Sequence, residues 1–344
     1  MNQDMTPEPI IERVSSDESA LLMPEESKYA GQRIDTSSRR SIQIDLEQIG
    51  DSCHSFGLKE NISAEASHVI VDYFYHQEQF WRAKIPLDGV DQVFGQCFNF
   101  SKIKTKQGKD GLEKVYDKNG LPKRKYKILN HLQSRFKLKN ECPIELFSMD
   151  GPHCTSSLFK IYDFVYSLET IGPIGVVYNI VDGLRGHLIA AHRIFSTEEM
   201  VFERIVVQNE YVIETQIPKL DTFQKRELLV KSLLRSHQAG MSERYYLLRL
   251  CKTNNSTSSP FQILDSVAHY GFFQRLSTGL YRFPISPLFY LRVRGLVSAS
   301  SKQYLVRDEF EEYILSPETK ERKRSYLKRK SQAKREASLN ANAE

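Results

Sequence analysis

Cysteine is scarce in this chain and badly spaced for chemistry. The five cysteines, Cys53, Cys97, Cys142, Cys154 and Cys251, form no CxxC pair and share no repeated interval. An odd, scattered set argues against a disulfide framework and against a structural zinc site. No stretch of 18 consecutive apolar residues occurs, so no transmembrane segment is expected. The N-terminus lacks a basic n-region, and its longest apolar run is Ala20-Leu21-Leu22-Met23, so no secretory signal is expected either. The expectation is a chain made as a soluble protein, cytoplasmic or exported by a route that needs no signal. GxGxxG, P-loop, HExxH and EF-hand patterns are missing, as is any internal repeat. Nothing in the sequence asks for a cofactor or a metal.

What is present fits a globular body with charged tails. The 344 residues are 40% hydrophobic and 26% charged, enough for a sizeable core. The net charge of +5 is unevenly placed. The first 30 residues hold Asp4, Glu8, Glu12, Asp17, Glu18, Glu25 and Glu26 against Arg13 and Lys28. Residues 320–335 hold Lys320, Arg322, Lys323, Arg324, Lys328, Arg329, Lys330, Lys334 and Arg335 against Glu321. The composition predicts a disordered acidic head over 1–60, a folded domain over 61–316 and a basic tail over 317–344. The tail is helical by propensity, but its basic residues cover all faces, so it is expected to have no core to pack on. Deleting 320–344 is expected to leave the thermal midpoint almost unchanged.

Within the body, Ser41 to Leu46 alternates like an edge strand. From Ser63 a helical period is read through Ala66, Ile70, Tyr73, Phe74, Phe80 and Trp81, with Trp81 a core anchor. Residues 102–118 read as an exposed lysine-rich loop, whose lysines lack the interleaved aromatics of a nucleic-acid surface. Pro122 opens a second predicted helix with Tyr126, Leu129, Leu132 and Phe136 inward. Strands are predicted over 158–168 and 173–181, the latter followed by a turn at Asp182-Gly183-Leu184-Arg185-Gly186, and two more between Val201 and Ile217, broken near Asn209. A helix capped by Asp221 or Thr222 ends near Gly240.

The stretch that organises the rest is Thr253 to Asp265. It follows the apolar run Tyr245 to Cys251, read as a buried strand with Cys251 in the core, and it leads into a helix. Ser259 with Gln262 reads as a capping box, and Pro260 as the first helical residue. A polar turn between strand and helix N-terminus is where a nucleophile gains most from free N–H groups and the helix dipole. Equally, a run of Asn and Ser there simply caps a helix.

Residues 68–300 resemble the Lnb N-terminal periplasmic domain family, which includes bacterial lipoprotein N-acyltransferases. Five segments carry the resemblance in order: Phe80-Trp81-Arg82-Ala83-Lys84; Asn119-Gly120-Leu121-Pro122 with the segment to Phe136; Ser148-Met149-Asp150-Gly151-Pro152-His153 followed by Tyr162-Asp163; Asp182-Gly183-Leu184-Arg185-Gly186-His187 with Asn209-Glu210-Tyr211; and Asn255-Ser256-Thr257 with Ile263-Leu264-Asp265. The resemblance implies an α+β fold, a permuted papain-like (NlpC-like) antiparallel sheet packed with helices. It implies a histidine, His153, ahead of a nucleophile at the Asn-Cys motif. Here Ser256 stands where the family has cysteine, with Asp265 in register with the family's acidic residue; a shift of one residue would put Asn255 there. Pro152 interrupts the family's Gly-His pair.

A serine gains less from a helix dipole than a thiolate and needs an adjacent base. The first reading is therefore an acyltransferase or hydrolase acting on a lipid or acylated protein. In it Ser256 attacks, His153 moves the proton, Asn255 belongs to the motif, and Glu210 or Asp163 orients the histidine. Cys154 is an alternative nucleophile or a small buried residue. The second reading is an inactive family member, a binding module or secreted effector. Its basic tail at 320–335 would contact nucleic acid, an anionic membrane or an import receptor.

Overall fold

Alternation with a period of two, rather than the helical period expected, governs the first half of the body. The computed structural model describes residues 21–45, 66–108, 111–117, 122–126, 130–149, 157–176, 178–247, 254–276 and 287–340. After a short β1 (Gln43–Ile44) come β2 (His68–His76), β3 (Gln79–Pro86) and β4 (Val90–Asn99). The helix expected from Ser63 is therefore a β-hairpin. Two features hide its alternation. A bulge between Val71 and Phe74 shifts the inward register, with Tyr73 at φ 69°. The two-residue turn is Gln77-Glu78, both at positive φ, where Asn-Gly would have announced a type I′ hairpin. Trp81 is buried as expected and donates its indole N–H to the His76 carbonyl at 2.8 Å.

The lysine-rich stretch expected to be a loop forms β5 (Thr105–Gly108) and β6 (Gly111–Lys114). The second expected helix is also a strand, β7 (Asn130–Leu138), followed by β8 (Ile144–Phe147), β9 (Phe159–Ile161) and β10 (Asp163–Ile171). Leu132, Phe136 and Leu138 alternate with His131, Gln133 and Arg135, and both sets are buried. A strand covered on both faces loses the in–out contrast that period analysis reads.

The strand expected at 173–181 gives way to α1 (Ile180–Arg185). Asn179 caps it by accepting the Val181 N–H at 2.9 Å, and Gly186 closes it at φ 70°. Next come β11 (Leu188–Ser196), α2 (Thr197–Met200) and a π-helix over Val201–Val207 in place of the first of the two strands expected there. The chain breaks at Asn209 as expected, φ 55°, before β12 (Ile213–Gln216). α3 (Thr222–Ala239) carries the expected cap at Asp221, with a full capping box to Gln224. β13 (Arg244–Tyr245), α4 (Ser258–Val267), α5 (Phe272–Leu276), α6 (Pro287–Val293), β14 (Tyr304–Leu305), α7 (Val306–Glu309), α8 (Glu311–Leu315) and α9 (Pro317–Asn340) complete the order. Cys251 lies outside the described residues.

The main sheet runs β14-β12-β4-β7-β10-β11-β2-β3-β8-β9, with β1 on β2 and β13 on β11. Every pairing is antiparallel except β11 with β2. On one face Phe136, Phe164, Tyr166 and Ile194 meet Leu228, Leu229 and Leu233 of α3, Phe261 and Leu264 of α4, and Tyr290 and Leu291 of α6. On the other, Tyr75, Phe98, Val165 and Phe195 meet Met200, Val201, Ile205, Val306 and the α8 side chains Tyr313 and Ile314. Each aromatic or aliphatic side chain fully buried there is worth about 1.5–3 kcal/mol. The architecture is thus mixed α/β, one large sheet between two helical layers.

Both tails contribute to the body within the described residues. Residues 21–45, expected to belong to the disordered head, bury Met23, Ile34 and Ile42. Tyr29 donates to Asp182 at 2.9 Å and Lys28 reaches the same carboxylate at 2.7 Å. The basic tail is helical as expected but docked. Arg322 of α9 bonds Glu78 and Glu199, and Tyr326 meets Phe202 edge-on at 5.9 Å. The expectation that nothing holds this helix is corrected: its fixing partners include the buried Glu199 and the half-buried Glu78, carboxylates that a search for an apolar stripe does not find.

Candidate functional site

The polar turn before α4 is organised by Asn255. Its side-chain oxygen accepts the N–H of Thr257 at 2.9 Å and of Ser258 at 2.8 Å, and its main-chain oxygen accepts that of Ser259 at 3.2 Å. Its amide donates to the Leu247 carbonyl at 2.8 Å, tying the turn to the segment after β13. The expected Ser259 capping box is not the cap. Ser258 and Ser259 already lie inside the helix, which places Pro260 third rather than first, still among the residues whose N–H needs no helical partner.

Ser256 is 5% exposed. Its hydroxyl faces the Tyr245 phenol, which is also held by Thr170 and lies beside Tyr178. Burial pushes the Tyr245 phenol well above the usual tyrosine range, so it keeps its proton and offers Ser256 a donor, not a base. Among the described residues no histidine hydrogen-bonds to Ser256. His153 and Cys154 lie outside them, so the expected Ser256–His153 pair is placed neither together nor apart.

A second chain of polar groups runs from the first turn of α4 into the sheet. Ser259 Oγ is 3.0 Å from the Tyr166 hydroxyl, which is 2.7 Å from His192 Nδ1. His192 Nε2 lies 3.6 Å from Glu243, too long for a hydrogen bond but close enough for charge to act. Glu243 is gripped by Arg235 at 2.5 and 2.6 Å and by Asn254 at 2.9 Å. Burial lowers the pKa of His192 to about 4 against the opposing pull of Glu243. Burial would raise the Glu243 carboxyl, but its contacts with His192 and Arg235 outweigh that and hold it well below the usual range. A neutral imidazole beside a carboxylate turns Nε2–H toward Glu243, so Nδ1 accepts from Tyr166 and Tyr166 accepts from Ser259. These are the groups of an acid–base relay, but Ser259, Tyr166 and His192 are all fully buried. Here they fasten α4 to β10 and β11.

The remaining expected residues have other duties. Glu210 is bound by Arg124 at 2.5 Å, and burial raises its pKa despite that partner. Asp163 accepts from Arg135 and, at 2.5 Å, from Thr197. Asp265 accepts from Tyr270 at 2.7 Å and from Arg294 at 2.6 Å, and also from Tyr290, joining α4 to α6. Cys97 packs, partly buried, against the core, and desolvation pushes its thiol up to about 12.

The sequence reading missed a layer of buried charge on the opposite face of the sheet. Arg135 bonds Asp163, Glu214 and Glu309; Arg193 bonds Glu203 at 2.8 and 2.9 Å; Arg204 bonds Glu169 at 2.5 Å. Glu203 and Arg204 come from the π-helix, whose wider turn places adjacent residues against the sheet. The available signal was His131, Gln133 and Arg135 alternating with Leu132 and Phe136, which resembles a solvated face. Among the described residues no group of histidine, cysteine and carboxylate side chains is placed to hold a metal ion, and no helix is long and apolar enough to cross a membrane. No family model, no curated protein and no solved structure matches the chain.

Proposed function

We propose that this chain is a binding module on an Lnb-like, permuted papain-like scaffold whose nucleophile position is catalytically silent. The observation that carries this reading is the occupation of the α4 N-terminus. The three N–H groups that follow Ser256 are all taken by Asn255, so they are not free to meet charge developing on a substrate oxygen. Ser256 itself faces a tyrosine that retains its proton, and the nearby neutral His192 is engaged by Tyr166. Activation of a serine needs a base in hydrogen-bond reach.

The contact surface in this reading is α9. Arg322 and Tyr326 fix it to the body, while Lys320, Arg324, Lys328 and Lys330 are exposed along it and face an anionic partner. The competing reading is acyl transfer or hydrolysis on a lipid or acylated protein through Ser256 and His153. A fluorophosphonate probe separates the two. The binding reading predicts no labelling of the folded full-length chain. Labelling of wild type that is lost in Ser256→Ala would overturn it in favour of the enzyme.

A further inference from the structure

α9 docks through residues that return to one side of the helix. Arg322, Tyr326 and Arg329 stand four and three residues apart, the spacing that stacks side chains above one another. Arg322 bonds Glu199 at 2.6 Å and Glu78 at 3.0 Å, Tyr326 meets Phe202 edge-on, and Arg329 also reaches Glu78. Thr319, one turn before Arg322, is buried on the same side. These contacts fix the rotation of the helix on the body. At 3.6 residues per turn, Lys320, Arg324 and Lys328 then stand about 130–170° away from the docked side. All three are exposed, and they follow one another at intervals of about 6 Å along the axis.

The two sides of the helix differ in how their charge is answered. On the docked side the arginines meet Glu78 and Glu199. On the outward side Lys320 and Lys328 have no carboxylate partner among the described residues. Arg324 has Glu321 at 3.1 Å, but the two side chains are 79% and 67% exposed, and a surface pair of that kind is worth little and yields to a stronger anion. The body thus holds the helix still while leaving a row of cations open to a partner.

The surroundings of that row narrow the partner. A helix that lies in a lipid surface buries an apolar face there. Among the described side chains of α9 the one large apolar group exposed is Leu327, and Tyr326 is turned to Phe202. Single-stranded nucleic acid asks for open rings on which bases stack, and none stands on the outward side among the described side chains. A straight row of cations matches a duplex, whose stiff backbone carries one charge per about 1.7 Å of axis. With 24 residues α9 is about 36 Å long, close to one duplex turn of about 34–36 Å. We propose that the outward side of α9 binds the phosphate backbone of a nucleic-acid duplex through Lys320, Arg324 and Lys328. The proposal rests on the binding reading above and names its partner. Phosphate contacts position a duplex without reading its bases, so no sequence preference is expected.

The test uses the full-length chain and fluorescein-labelled 20-base-pair duplexes, DNA and RNA of the same sequence, followed by anisotropy over a salt series. Three phosphates of the DNA duplex neutralised at about −0.9 each give a log–log slope near −2.7, or about 40-fold weaker binding at 200 mM than at 50 mM salt. The triple variant Lys320→Gln, Arg324→Gln, Lys328→Gln is expected to remove most of that slope. Its side chains are exposed on the undocked side, so an unchanged thermal midpoint checks the fold. The same loss of charge beside the β5–β6 hairpin, at the exposed Lys102→Gln, Lys104→Gln and Lys123→Gln, is expected to leave the slope as it is. Binding of either duplex with this pattern supports the proposal, and a preference names DNA or RNA as the source. It is overturned if neither duplex binds, if a single strand of equal length binds as tightly, or if the two triple variants weaken binding equally. Capture of phosphatidylserine vesicles or polyglutamate by α9 while both duplexes are ignored also overturns it, and leaves the anionic-partner reading standing. Fluorophosphonate labelling reads the Ser256 site separately, so the two readings fail distinguishably.

Discussion

Arg322→Ala should destabilise the whole body, although Arg322 lies in a tail that looks dispensable in sequence. Its guanidinium bonds Glu78 at 3.0 Å and Glu199 at 2.6 and 2.9 Å, donates to the Tyr313 hydroxyl at 3.2 Å, and lies 3.8 Å from the Phe202 ring centre. The Glu199 side chain is 1% exposed. Burial and the neighbouring Glu203 already raise its pKa with the arginine in place. Breaking a buried pair by removing one partner costs about 3–5 kcal/mol. Glu78 is partly exposed and regains water, so the lower end applies, about 3 kcal/mol, or roughly 5 °C in a domain of this size. A carboxyl whose folded pKa is raised binds its proton more tightly in the folded state. Its contribution is therefore favourable at low pH and is lost as pH rises from 4.5 through the folded value. The deficit of the variant should shrink between pH 7.5 and pH 5, as Glu199 takes up a proton in place of the arginine. Urea or thermal unfolding at both pH values measures this. An unchanged midpoint at pH 7.5 would refute the docking of α9 through Arg322. By the same reasoning deletion of 320–344, expected from sequence to be neutral, should lower the midpoint by a similar amount.

Other consequences follow from the site. Asn255→Ala removes the cap of α4 and should cost about 1 kcal/mol in chemical denaturation; no change would show that the turn is held elsewhere. Tyr166→Phe leaves the buried His192 Nδ1 and Ser259 Oγ without their shared hydroxyl and should cost about 1–3 kcal/mol; a neutral outcome would mean that water or another group satisfies them. Burial lowers His76, His131 and His192 to about 4 each. Histidines kept neutral in the fold contribute stability above pH 6.5 that is lost as pH falls toward 4, so unfolding free energy should decline across that window. NMR titration with all three histidines at ordinary values would contradict it.

The sequence disclosed the elements whose local chemistry is conventional. Asp221 with Gln224 before Leu228 and Leu229 gave α3, and the break at Asn209 was written in a residue that tolerates positive φ. It concealed elements whose signals depend on tertiary context. Gln77-Glu78 makes a type I′ turn without glycine or asparagine, where Arg322 and Arg329 of the distant α9 bind the Glu78 carboxylate. The polar residues of β7 look solvent-facing until the carboxylates of β10, β12 and α7 arrive to bury them. Asn255 and Ser256, read from sequence as a nucleophile motif, lie in the turn before α4, where the Asn255 side chain takes the Thr257 and Ser258 N–H groups. Which of the two matters chemically was not legible, because it rests on where the Asn255 carboxamide points. The lysine-rich stretch 102–118 reads as a loop because its alternation is masked by exposed charge, although it forms the β5–β6 hairpin.

The thiol placed by Ser256→Cys tests the silent site most directly. A working helix N-terminus would stabilise the thiolate and lower its pKa. With the N–H groups of Thr257, Ser258 and Ser259 held by Asn255, and with the Tyr245 phenol alongside, the thiol should titrate at or above the ordinary value of about 8.5. Measured as iodoacetamide alkylation at position 256 against pH, with mass spectrometry to separate it from the native cysteines, the rate should stay low through neutrality. A thiol that alkylates rapidly at neutral pH, with a pKa near 7 or below, would contradict the account and return Ser256 to the active site of an enzyme.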